Sequence, residues 1–135
     1  MEEWSHWHPI AHIDGKFFIE DFHMSYKGIE IKLCSAKKDK KIEILFFNGA
    51  DAYKCTNESW AFDIFAILTK KHGDDFYANW SFFKIINSNY AKSLSLTSCG
   101  LSNDTNFDHF CIVGNDEIID ILARYEPTVK ILTAK

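Results

Sequence analysis

Through the first half of the chain, apolar residues alternate with polar ones, the period expected of β-strands that bury one face. In GIEIKLCS, Ile29, Ile31 and Leu33 fall on one side and Glu30 and Lys32 on the other. KIEILFFN repeats the pattern with Ile42, Ile44 and Phe46. Upstream, Phe17, Phe18, Ile19, Phe22, Met24 and Tyr26 make another dense run. Turn residues punctuate these segments at Asp14-Gly15, Lys27-Gly28, the stretch SAKKDKK and Asn48-Gly49, and residues Ala50 to Thr56 read as a further strand. The pattern predicts an antiparallel meander.

Residues 59–69 fit two periods. Trp60, Ile64 and Leu68 have helical spacing, while Trp60, Phe62, Ile64, Ala66 and Leu68 also alternate. End signals favour a helix: Thr56 or Asn57 as N-cap, Lys70-Lys71-His72 in the last turn, and Gly73 as terminator. Beyond it, WSFFKII reads as a strand, and SNYAKSLSLTSCG as a short helix capped by Ser88 and closed before Gly100. HFCIV is a buried strand. NDEIIDILARY is expected to be helical, with Asn115 as cap, Asp116 and Glu117 at the positive end, and Pro127 as stop. TVKIL supplies a last strand. The fold class is therefore α+β, a β-meander followed by strand–helix–strand–helix–strand, in a single domain over residues 1–135.

Composition narrows the function classes. A chain of 135 residues with 12 Phe, 5 Tyr and 4 Trp has ample material for one packed core. Net charge is −4, and Arg124 is the single arginine among 15 basic residues. Readers of phosphates and base edges lean on arginine, so no nucleic-acid partner is expected. The lysines of KKDKK, Lys37 to Lys41, suit a solvated hairpin tip. No run approaches the ~18 apolar residues of a membrane helix, so no membrane partner is expected either. MEEWSHWH opens acidic without an apolar core, and the cysteines at 34, 55, 99 and 111 form no Cys-x-x-Cys. These features predict a cytoplasmic protein with free thiols, in which the sequons at Asn57 and Asn79 go unused.

Candidate chemistry is sparse. His6, His8 and His12 share one parity, so an extended segment would place them on one face. A zinc site needs further ligands, and no cysteine or carboxylate pair follows at ligand spacing. Pro9 suits a terminal strand whose Trp4 or Trp7 covers the core, and no metal is predicted. His109 and Cys111, two apart in a strand, could share a face, but the surroundings of Cys111 are too apolar for a reactive thiolate. The six glycines are too scattered for a phosphate loop. No cofactor and no catalytic set is expected.

Several segments together resemble a group of small bacterial proteins: KFFIEDFHMSYKGIEIKL, KIEILFFNGADAYKCTNES, WSFFKIINSNY and HFCIVGNDEIIDILARYEPTVKIL. Tyr53, Glu58, Trp80, Phe83, Ser88, His109, Asp116 and Pro127 are the matching positions, while Lys54 stands where the group's pattern has arginine. The group is similar to the immunity proteins of bacteria that secrete polymorphic toxins. The resemblance implies a non-enzymatic domain that binds and neutralises a cognate toxin. Candidate contact residues are Asp74 and Asp75, Asp104 and Asp108 in the polar loop before HFCIV, and Glu58, whose other role is to cap a helix. Charge on an acidic domain would steer a basic partner. The alternative is a small-ligand binder with a pocket in the aromatic-rich sheet. Dimerisation through an edge strand stays open.

Overall fold

The structure is a computed structural model that describes residues 2–97 and 107–132. Its strands are β1 (Glu3–His6), β2 (Phe17–Ser25), β3 (Gly28–Ser35), β4 (Lys41–Phe46), β5 (Ala52–Asn57), β6 (Phe82–Ile86), β7 (Asp108–Val113), β8 (Glu117–Ala123) and β9 (Thr128–Leu132). A 3-10 turn, Glu58–Ala61, leads into helix α1 (Phe62–His72), followed by α2 (Asp75–Ala78) and α3 (Asn89–Thr97). The fold is α+β, as the patterning predicts.

The strands form two antiparallel sheets. β2, β3, β4 and β9 make the first in that order, and β1, β6, β7, β8 and β5 the second. The expected meander is present as β2–β3–β4, with Ile31 opposite Ile44 and Leu33 opposite Ile42. β5 then leaves it and pairs with β8 in the second sheet. Tyr125 holds that crossover: its hydroxyl accepts the Asn48 N–H (2.8 Å) and donates to the Gly49 carbonyl (2.6 Å).

The core lies between the sheets, where Phe46 of β4 meets Phe110 of β7 (ring centroids 5.3 Å) and Phe17 of β2 meets Phe82 of β6 (5.5 Å). Ser81 joins the layers at one end, its hydroxyl accepting the Phe17 N–H (2.9 Å) and donating to the Phe17 carbonyl (3.0 Å). The opposite face of the second sheet carries Phe83, Ile85, His109, Cys111, Ile118 and Asp120, and the helices cover it. The order of layers is sheet, sheet, helices.

The expected helix over NDEIIDILARY is a strand. β8 lies between β7 and β5, and every residue from Ile118 to Ala123 is buried. A strand covered on both faces has no polar side, so its apolar run mimics a helix stripe. Asn115 caps nothing, and Pro127 merely precedes β9. The doubtful segment resolves as helix from Phe62 onward. Asn57 caps the preceding turn, its side-chain oxygen accepting the Ser59 N–H, and Gly73, at φ +89°, ends α1 with its N–H on the Thr69 carbonyl. Ser88 caps α3 as expected, accepting the Ala91 N–H at 3.0 Å. Among the described residues no helix is long and apolar enough to cross a membrane.

Candidate functional site

Helix α1 is only half sunk into the protein. Phe65 and Leu68 are its buried residues, joined by Ala61 from the preceding turn. Two flanks of the turn and helix stay open, and both are apolar. Trp60 is 86% exposed and Ile67 64%, along one flank with Ile64. Phe62 is 79% exposed on the other. Soluble domains usually keep single apolar residues at their surface, whereas such contiguous patches mark contact sites.

On the Phe62 flank lies a hollow of about 940 Å³, lined by Phe62, Phe65, Ala66 and Tyr77, with Glu58 and Asp116 at its mouth. The Glu58 N–H donates to the Asp116 carbonyl (2.8 Å), fixing the two acids side by side. Burial, helped by Asp116 and Glu58, pushes the neighbouring Glu117 carboxyl above its usual range. Behind this acidic edge, Lys16 donates to the Tyr77 carbonyl (2.8 Å). Burial lowers the Lys16 ammonium to about 8, and Glu58 partly offsets that fall.

On the Trp60 flank, α1 and α3 border a hollow of about 320 Å³ whose floor is the second sheet. Three buried polar side chains run in a chain there. The Ser88 hydroxyl lies 2.6 Å from His109 Nδ1, and His109 Nε2 lies 2.6 Å from Asp120 Oδ1. With Nε2 protonated, the imidazole donates to Asp120 and accepts the Ser88 proton at Nδ1. Cys111 stands directly opposite Asp120 across β7 and β8. Burial and Asp120 push the Cys111 thiol well above its ordinary range, so it stays protonated. A thiol in that state is no nucleophile. Ser88 is equally committed: its oxygen caps α3 and only 5% of the residue is exposed.

The histidines singled out in the sequence have aromatic neighbours. His6 stacks on Phe76 (4.7 Å), and its Nε2 lies 2.9 Å from the Phe76 carbonyl. His8 packs on Trp80 (4.9 Å). His12 falls in a turn at φ +65°, so the shared face expected of the three does not form, because β1 ends at His6. Trp4 and Trp7 are both buried. Among the described residues no group of three His, Cys, Asp or Glu side chains is placed to hold a metal ion.

The predicted contact acids are scattered. Glu58 lies on the Phe62 flank, whereas exposed Asp108 starts β7 beside a separate hollow of about 280 Å³ that also reaches Ser88. Asp74 and Asp75 stand exposed at the α1–α2 junction, and Asp104 lies outside the described residues. Sequence reasoning missed Asp116 as a partner of Glu58, and Trp60 and Phe62 as surface residues, because their spacing reads as core. It also missed Asp120, although a lone acid set directly between Ile119 and Ile121 in an apolar run is a buried-polar signal. No protein-family model, curated protein or solved structure matches this chain.

Proposed function

We propose that this chain is a non-enzymatic protein-binding domain of the immunity type, which neutralises a cognate toxin domain by docking it on the start of α1. The observation that carries this reading is the exposure of Trp60 and Phe62 on the two flanks at the start of α1, with Glu58 and Asp116 lining the Phe62 side and Asp63 in the first turn. Large aromatics left in water forgo the stabilisation that burial would give, and on docking they supply the buried anchors on which interfaces depend. The surrounding carboxylates favour a partner that presents lysine or arginine around an apolar side chain, and the net charge of −4 speeds their encounter. The same acidic edge disfavours nucleic acid.

The test is coexpression with the C-terminal domain of the neighbouring gene's product, scored by cell survival. Cell survival and a complex that co-elutes on gel filtration support the reading. Continued killing without a complex defeats it.

A further inference from the structure

We propose that the groove between α1 and α3 is a binding site for an apolar α-amino acid. The site lies on the Trp60 flank of α1 and does not rest on the toxin-binding reading, although Trp60 lines both.

Lys54 and Asp120 are direct cross-strand partners on β5 and β8, which places a cation and an acid side by side on the groove floor. They do not neutralise each other: among the described residues no carboxylate lies within ion-pair distance of Lys54. Its Nζ instead sits 4.5 Å from the centroid of the Tyr90 ring. His109 holds Asp120 from the neighbouring strand, its Nε2 2.6 Å from Oδ1, and Cys111 stands directly opposite it. A carboxylate offers about four acceptor positions, so it can still take a donor from the groove. The buried chain Ser88–His109–Asp120 thus fixes the carboxylate without saturating it. Trp4, Ile64 and Ile67 supply the apolar wall, and Glu2, whose Oε1 accepts the Asn89 N–H, adds a second carboxylate to the lining.

These groups define the ligand by exclusion. A simple apolar carboxylate would satisfy Lys54 but bring its charge beside Asp120. An apolar amine would satisfy Asp120 but crowd Lys54. A zwitterion answers both, with its carboxylate on Lys54 and its ammonium on Asp120, and the apolar side chain lies against Trp4, Ile64 and Ile67. The hollow of about 320 Å³ has room for a phenylalanine or leucine.

Isothermal titration with four probes tests this: L-phenylalanine, 3-phenylpropionate, phenethylamine and glycine. L-Phenylalanine is expected to bind about tenfold or more tightly than each of the others. Lys54→Met should weaken phenylalanine about tenfold and leave phenethylamine unweakened. Asp120→Asn should weaken phenylalanine and phenethylamine while sparing phenylpropionate, whose retained binding also reports that this variant is folded. Should Asp120→Asn fail to fold, the exposed Lys54→Met decides alone. No saturable uptake of phenylalanine at millimolar concentration, equal affinity for all probes, or phenylalanine affinity unchanged in Lys54→Met would each overturn the proposal.

Discussion

Three residues do more than fill space, and each predicts a measurable change. Ser81 is fully buried and satisfies both backbone groups of Phe17, so Ser81→Ala strands a donor and an acceptor in the core. The expected loss is about 2–4 kcal/mol in urea unfolding, against under 1 kcal/mol for an exposed serine such as Ser59. Gly28, at φ +112°, would place a Cβ 2.1 Å from the Phe46 carbonyl oxygen. Gly28→Ala must therefore part β3 from the end of β4, and it should lower the melting temperature by more than Gly49→Ala, where a Cβ meets nothing within 4 Å. Lys16 titrates near 8 in the folded chain against 10.5 when unfolded. Between those values the unfolded chain holds a proton that the native one has released, so native stability climbs with pH. Relative to Lys16→Met, the wild type should gain about 2 kcal/mol between pH 7.5 and 10.5, after allowance for the water that reaches the side chain. A flat difference would show that Lys16 titrates as a free lysine.

At the scale of elements, legibility followed the number of faces buried. β3 and β4 bury one face fully and leave the other half-buried or exposed, so their alternation was plain in the sequence. α1 announced its ends through Asn57 and Gly73 even while its interior was ambiguous. β8 misled because Ile118, Ile119, Ile121 and Leu122 are covered on both sides. Nor does any local pattern reveal that β5 changes sheet, since Tyr53 and Cys55 have the composition of any edge strand. The candidate site was less legible still. Glu58 could be marked from its position after Asn57, but Asp116 and Asp120 gain meaning only once β7 and β8 pair. These same differences in burial predict the pattern of local stability. Amides of β7 and β8, central in their sheet, should exchange hydrogen only on global unfolding. Those of α1, anchored chiefly by Phe65 and Leu68, should exchange by a smaller opening and lose protection first. Equal protection of α1 and β8 would contradict the half-sunk description of the helix.

As a whole, the molecule separates its stability from its surface. The phenylalanine stack between the sheets holds the fold, and the helical layer on the far side leaves its aromatics open to solvent. Removing Trp60 and Phe62 should therefore cost recognition and almost no stability. The most direct test is a binding titration of the domain that coexpression identifies as the proposed toxin partner, with the wild type and with the Trp60→Ala/Phe62→Ala double variant. The account predicts an affinity at least about 30-fold weaker in the variant, each aromatic acting as an interface anchor, with an unchanged melting temperature. Equal affinities for the two proteins would contradict it.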